Sequence, residues 1–340
     1  MKAAVFYGPH DLRVEEVKRP QLRGGDILIR VKACGICGSD LHPYKVGSAP
    51  GFQVSGIMGH EFSGEVAELG TGVEGLAVGD RVAAAGYEPC GTCYWCRQGK
   101  SFRCSRMALV GYQLDGAFAE YVRIPRAQVG MTVFPLPENL DWEVAATIEP
   151  VSVSSHMVRR SEVRPEDTAV VLGAGMIGQG IVQVLKAQGV SRVMVSELAP
   201  KRLALARRLG ADEAIDAREV DPLKAVAELS AGNMADVVFE CTGSPLAFRQ
   251  ALDTVRGGGM VMQVGLHEHP VELDLNILIQ RNITVRGCLG GSFPRAIALL
   301  QSGKVKTKEL ITHRFPLEEA KTAFDTQLNA DEAVKVLIKP

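Results

Sequence analysis

A chain of 340 residues suggests two domains, and with 46% hydrophobic and 23% charged residues it can bury a sizeable core. Lys plus Arg (38) balances Asp plus Glu (39), which argues against a nucleic-acid footprint or an acidic tail, and there is no apolar run of about 18 residues to span a membrane. The opening MKAAVFYGPHDLRVEEV lacks the apolar core and small-residue cleavage site of a signal peptide, so the eight cysteines are expected as ligands or buried thiols in a cytoplasmic protein.

The first half predicts an irregular β-rich domain. ILIRVKA, from Ile27 to Ala33, alternates its faces as a strand does. Glu65 to Leu69, Arg81 to Ala85 and Phe118 to Ile124 read similarly between Gly and Pro turns. Three segments of this half carry metal-type donors: ACGICGSDLH, MGHEFSGEV and TIEPVSVSSH. Cys37, His60 and Glu149 each lie beside a glycine or proline, where a turn can hold a side chain. With Glu61 they offer sulfur, nitrogen and oxygen. Three protein ligands leave a position open for water or substrate, as catalytic zinc requires. Read singly, each residue fits a structural role, and Cys34 with Cys37 also spells the C-x-x-C of a redox pair, but without the surrounding βαβ pattern.

Between these segments, PCGTCYWCRQGKSFRC places Cys90, Cys93, Cys96 and Cys104 at C-x2-C-x2-C-x7-C. So short and polar a loop has no core of its own, and a tetrahedral all-thiolate zinc site would supply the missing folding energy. Two other readings compete. An iron–sulfur run has its fourth cysteine after three residues with proline behind it, whereas here the gap is seven and Ser105 follows. Disulfides need an oxidising compartment.

After Pro150 the texture changes. TAVVLGAGMIGQGIVQVLKAQG reads as buried strand, glycine turn and helix. RVMVSE and PKRLALARRLGA repeat the unit, and DVVFECTG, a helix over Pro245 to Val255, GGMVMQVG and ITVRGCLGG continue it. Alternating βα units with apolar strands predict an α/β fold, a doubly wound parallel sheet covered on both faces. The expected plan is a β-rich domain over 1–150, completed by 290–340 and ending in the strand AVKVLI, with the doubly wound domain over 151–289. Gly173, Gly175 and Gly178 form G-x-G-x-x-G after the first strand of that domain. The first glycine serves the tight turn, the second a close approach of pyrophosphate, the third helix packing. Met176 and Ile177 complete the GAGMIG turn, where free N–H groups at a helix start face phosphates. Glu197 ends the second strand 19 residues after Gly178, placed to accept ribose hydroxyls of NAD and to repel the extra phosphate of NADP; Lys201 and Arg202 close by weaken that preference. Val264, Gly265 and Leu266, after a later strand, are expected to support the nicotinamide. Gly257, Gly258 and Gly259 precede that strand and read as a turn.

The chain resembles the zinc-dependent medium-chain dehydrogenase/reductases over essentially its full length. The matching marks are CGICGSDLH, the GHE of Gly59 to Glu61, the four-cysteine lobe, the GAGMIG turn and the closing strand. The resemblance implies a GroES-like catalytic domain with a Rossmann domain, NAD, and one catalytic and one structural zinc per chain. It implies Cys37, His60 and Glu149 as ligands of the catalytic zinc, with Glu61 able to bind or exchange onto the metal. It gives Ser39 and His42 a proton relay and makes Asp40 the acid that orients His60. Glutamate at 149 departs from the ethanol-type enzymes, which have cysteine there, and EPVSVSSHMVRR is similar to the sorbitol and polyol branch. GFQVSGIM lacks the proline usual before GHE, in a stretch bordering the substrate pocket. Secondary alcohol or polyol dehydrogenase is therefore the first expectation. The alternatives are a threonine 3-dehydrogenase-like or 2,3-butanediol dehydrogenase-like activity and, from another class, a non-catalytic NAD-binding protein. The expected partners are a small-molecule substrate and further copies of the chain, as dimer or tetramer, with no nucleic acid and no membrane. Tyr44, Phe52, Phe118 and Leu289 are candidates to line the pocket or simply to pack.

Overall fold

The computed structural model describes residues 1–47, 54 and 56–340 and falls into two compact units. The first comprises Met1–Glu149, Ile311–Leu328 and Lys335–Pro340, the second Pro150–Leu310 and Asn329–Val334. The chain leaves the first unit after Glu149 and rejoins it at Ile311, beside sequence-based bounds of 150 and 290. Ties within the second unit hold the segment that ends at Leu310. Gln183, on the helix Met176–Ala187, accepts the Lys306 N–H at 2.7 Å, and Arg208 pairs with Glu309 at 2.7 Å.

In the first unit the sheet runs Ile311–Pro316, Lys335–Lys339, Ile27–Gly35, Glu61–Leu69, Arg81–Ala84, Val133–Pro135, with Tyr121–Ile124 also paired to Ile27–Gly35. The central strand buries Ile27, Leu28, Ile29, Val31, Ala33 and Cys34. Such near-continuous burial marks a strand covered on both faces. Lys335–Lys339 joins it antiparallel, setting Leu337 opposite Gly35. Tyr44 and Phe118 are fully buried, and both rings lie against Phe324, at 5.0 and 5.3 Å between centroids. They are core residues, so the pocket-lining option falls for both. Leu289, in the second unit, is 78% exposed, and Phe52 lies outside the described residues.

The second unit holds a six-stranded, all-parallel sheet in the order Glu213–Asp216, Arg192–Glu197, Thr168–Leu172, Ala235–Glu240, Val255–Gln263, Thr284–Gly287. This is the doubly wound arrangement, with the order reversing beside Thr168–Leu172. The helices Pro200–Arg208, Pro222–Leu229 and Pro245–Thr254 all begin with proline, whose missing N–H costs nothing at a first helical position. The Gly257–Gly259 run is not a turn before a strand. It lies inside Val255–Gln263, where Gly258 has φ +74° and the ladder to Ala235–Glu240 slips between Ala235 and Val237. The glycines form an irregularity of the bulge kind, which permits that backbone angle without breaking the strand. Among the described residues no helix is long and apolar enough to cross a membrane.

Candidate metal centres and cofactor turn

The four-cysteine loop hangs from the short pair Tyr87–Glu88 and Ala108–Leu109. Its helix Tyr94–Arg97 buries no residue. One sulfur from each of Cys90, Cys93, Cys96 and Cys104 lies within 4.8 Å of the other three. All four thiols are free, and Cys93 Sγ stands 3.5 Å from Cys96 Sγ. The loop backbone turns donors onto the sulfurs: Cys104 Sγ accepts from the Cys90 and Arg106 N–H groups at 3.3 and 3.4 Å. Hydrogen bonds led by the Thr92 N–H hold Cys90 down at about 5, and those led by the Cys96 N–H hold Cys93 at about 7. Desolvation and the neighbouring thiols push Cys96 the other way, up to about 12, so the bias toward thiolate belongs to Cys90 and Cys93. Four convergent sulfurs fit a closed tetrahedral zinc site.

A second group gathers at the start of the helix Gly38–Val46. Cys37 is the N-cap, and Asp40 Oδ2 accepts the Cys37 N–H at 2.9 Å, which fixes the helix entry and hence the thiol. The other oxygen of Asp40 faces His60 Nδ1 at 3.6 Å. Nδ1 is buried and, among the described residues, has no hydrogen-bond partner. Cys37 Sγ, a ring nitrogen of His60 and a carboxylate oxygen of Glu61 lie within 4.8 Å of one another. Mixed sulfur, nitrogen and oxygen donors fit a zinc site that keeps a position open.

Glu149 lies outside this group. The third donor that the structure brings to Cys37 and His60 is Glu61. Glu149 sits in the first turn of the helix Ile148–Ser161, and burial pushes its carboxyl up to about 7, with His60 pulling down and Glu61 pushing up. Ser39 and His42 lie on the Gly38–Val46 helix, with Ser39 buried and its hydroxyl 2.7 Å from the Tyr112 hydroxyl.

Two residues escaped the sequence reading. Tyr112 is buried, with its ring 5.1 Å from that of His60. Lys335 is 2% exposed. It donates to Glu61 Oε2 at 2.5 Å and to the Ile36 carbonyl at 2.8 Å. Gly35, paired opposite Glu61, makes the room: a Cβ there would stand 2.5 Å from Glu61 Oε2 and 3.4 Å from Lys335 Cδ. A lysine within the apolar strand pattern of AVKVLI was the one available signal, since an amphipathic strand places charge on its wet face and this one is buried.

In the second unit the glycine turn follows Thr168–Leu172. Gly173 has φ +93°, and a Cβ there would meet Thr242 Cγ2 at 2.7 Å. Gly178 lies against the Gly173 carbonyl and leaves no room for a side chain. Gly175 caps the helix that Met176 and Ile177 begin, without a side-chain cap, and its nearest neighbour in the Cβ direction is Arg202 Nη1 at 3.8 Å. This open cradle beside uncapped N–H groups fits a pyrophosphate. Glu197 is engaged from both sides: Oε2 accepts the Ala174 N–H at 2.7 Å, and Oε1 accepts those of Leu198 and Ala199 at 2.7 and 3.1 Å. Arg202 hooks the Ala333 carbonyl at 2.6 Å and stands 4.0 Å from Glu197. The Val264 and Gly265 N–H groups bond the Glu240 carbonyl at 2.9 Å, placing Val264, Gly265 and Leu266 just past the same end of the sheet.

Comparison with known proteins follows these two regions. The profile described as alcohol dehydrogenase GroES-like domain matches residues 23–138, and that described as zinc-binding dehydrogenase matches 177–302. Sorbitol dehydrogenase of Bacillus subtilis is 35% identical, over 100% of this chain and 97% of its own. L-threonine 3-dehydrogenase of Bacillus licheniformis is 37% identical, over 96% and 94%. A zinc-binding dehydrogenase of Sinorhizobium meliloti, solved bound to NADP, superposes with a TM-score of 0.89 at 30% identity, over 100% of this chain and 99% of its own.

Proposed function

Because the chain belongs to the zinc-dependent medium-chain alcohol dehydrogenase family, we propose that it oxidises a secondary hydroxyl flanked by a second hydroxyl, giving a ketone, with NAD as acceptor. The observation that carries the reading is the convergence of Cys37, His60 and Glu61 in one unit, together with an open glycine cradle in the other. Zinc held by Cys37 and His60 would supply Lewis acidity to the substrate hydroxyl, and the nicotinamide the hydride acceptor. The protein's own part is positioning and proton handling. Asp40 faces His60 Nδ1 and so orients the ring. In this reading Ser39 relays the hydroxyl proton toward His42, a role that its 2.7 Å contact with the Tyr112 hydroxyl supports by holding the serine hydroxyl in one place. Lys335 neutralises Glu61, so a carboxylate can rest beside the donors without its charge standing alone.

The substrate assignment rests on the oxygen-rich surroundings of the thiol. Glu61 stands among the donors and Glu149 nearby, where a second thiolate would make the site softer. Such a site suits a substrate offering two oxygens, and zinc can expand to five ligands. A panel of a polyol, its mono-deoxy analogue, threonine and ethanol tests this. The polyol should exceed the mono-deoxy compound in kcat/KM by roughly tenfold or more, the usual scale for a missing polar contact. Equal values would remove the two-oxygen argument, and a clear lead for threonine would install an amino alcohol as substrate.

For the cofactor, Glu197 supports NAD over NADP through its remaining lone pairs and its charge. The unaltered protein should show a higher kcat/KM with NAD, and Glu197→Gln should narrow the gap; a better value with NADP at the outset would reverse the assignment. Gln is preferred to Ala because it keeps an acceptor for the Ala174 N–H.

We also propose a homo-oligomer and a cytoplasmic setting. The open edge strand Thr284–Gly287, flanked by exposed Ile279 and Leu289, supports self-association, and eight free cysteines accord with a reducing compartment. Light scattering on purified protein should give at least a dimer mass, and a monomer at micromolar concentration would refute the first of these.

A further inference from the structure

At the carboxyl end of the parallel sheet stands a carboxylate that the chemistry above does not use. Glu240 ends its strand between two neighbours, Leu172 opposite on one side and Gln263 on the other. It is fully buried. Its Oε1 accepts from the Thr242 N–H at 2.7 Å, the Thr242 hydroxyl at 2.5 Å and the Gly243 N–H at 3.1 Å. Its Oε2 accepts from Gly243 at 3.2 Å and from Gln263 Nε2 at 3.0 Å. A buried carboxyl group that accepts from so many donors holds those donors in place in turn.

These donors belong to two loops. Thr242 packs against the Gly173 turn, and Gln263 also donates to the Gly265 carbonyl at 2.6 Å. The two loops interlock without spare room: a Cβ on Gly265 would stand 2.9 Å from Glu240 Oε2 and nearer still to Gly243. Two residues further on, His267 Nε2 lies 3.7 Å from Glu240 Oε2, with the imidazole edge-on to Phe248 at 5.8 Å. Both ring nitrogens of His267 are buried and, among the described residues, have no hydrogen-bond partner, although the side chain is 17% exposed. Buried ring nitrogens normally find partners, so an imidazole held between Phe248 and the Glu240 carboxyl group is a site whose placement calls for an explanation.

We propose that Glu240 and His267 form a clamp that presets the backbone of 242–243 and 264–266 for the cofactor, which makes Glu240 a positioning residue for nicotinamide binding. Glu240 fixes the two loops to each other, and His267 pins the outgoing segment so that Leu266, 41% exposed, is presented outward. The proposal rests on the reading that this unit binds a nicotinamide dinucleotide.

The test is a fluorescence titration of the full-length metal-loaded protein with NADH, with stopped-flow release and steady-state kinetics, on the unaltered protein, Glu240→Gln and His267→Ala. Glu240→Gln turns an amide N–H₂ toward donors and should weaken NADH binding about tenfold or more. His267→Ala should weaken it roughly threefold or more through faster release. The loss should appear in KM for NAD more than in kcat, the mark of uniform binding. Where Glu240→Gln does not fold, His267→Ala decides alone, since among the described residues His267 has no hydrogen bond to lose. An NADH affinity and release rate unchanged in His267→Ala, or a fall in kcat with binding intact, overturns the clamp. If the unaltered protein binds neither NADH nor NADPH, the dinucleotide reading falls and takes the clamp with it. If it binds and both variants bind equally well, only the clamp falls.

Discussion

Replacing His60 by alanine is expected to cut turnover by roughly a thousandfold or more while the thermal midpoint stays within a few degrees of the parent. His60 supplies one of the three donors of the open group, and its ring lies beside Tyr112 at the surface of a core that Tyr44, Phe118 and Phe324 hold without it. Cys96→Ser should show the reverse pattern. The helix Tyr94–Arg97 of the four-sulfur loop buries no residue, so a bound metal would serve as its core. Losing roughly 3 kcal/mol there should lower the midpoint by roughly 10 °C, and turnover at low temperature should suffer less. Metal analysis should find two zinc ions in the unaltered chain and one in either variant. A single zinc in the unaltered protein, or a His60→Ala enzyme of normal turnover, would be decisive against the assignment.

Lys335→Met should be the most destabilising single change in the first unit. The ammonium and the Glu61 carboxylate are both almost wholly buried, at 3% and 2% side-chain exposure. Removing one partner of such a pair leaves the other charge uncompensated, a loss of about 3–5 kcal/mol. Two measurements separate this from simple loss of packing. The double variant Lys335→Met with Glu61→Gln should recover much of the midpoint, because the stranded charge is gone. Zinc should also stabilise the single variant more than it stabilises the parent, as the freed carboxylate turns to the metal. Simple additivity of the two substitutions in denaturant unfolding would mean that the pair carries no coupling, and the role given to Lys335 would have to be withdrawn.

The parts legible in the sequence were those in which close spacing does the work. Four cysteines within fifteen residues and three glycines within six can meet only locally, and the structure brings the four sulfurs within 4.8 Å and the three glycines into one strand-to-helix turn. The alternation of strands and helices after Pro150 announced the parallel sheet in the same way. Contacts between distant segments were not legible. Glu61 and Lys335 are 274 residues apart, and nothing near either names the other. Which carboxylate comes within 4.8 Å of the Cys37 and His60 donors, Glu61 and not Glu149, was likewise not legible, because it depends on segments far apart in the chain. Tyr112 lies in an unremarkable loop whose partner, Ser39, is 73 residues earlier. The run Gly257–Gly259 misled because turns and bulges ask for the same residue.

The strand Lys335–Lys339 has a bearing on the order in which the molecule is made. It is the direct neighbour of the central strand Ile27–Gly35, yet the whole second unit is synthesised in between. A chain emerging from the ribosome therefore presents Cys37, His60 and the complete cysteine loop long before Lys335 exists. Through that interval Glu61 has no countercharge, and the groove that Lys335–Lys339 will fill is an open sheet edge. Early metal uptake would neutralise the carboxylate that the lysine later claims, so a nascent chain and a finished one face the same ion with different charge at the same place.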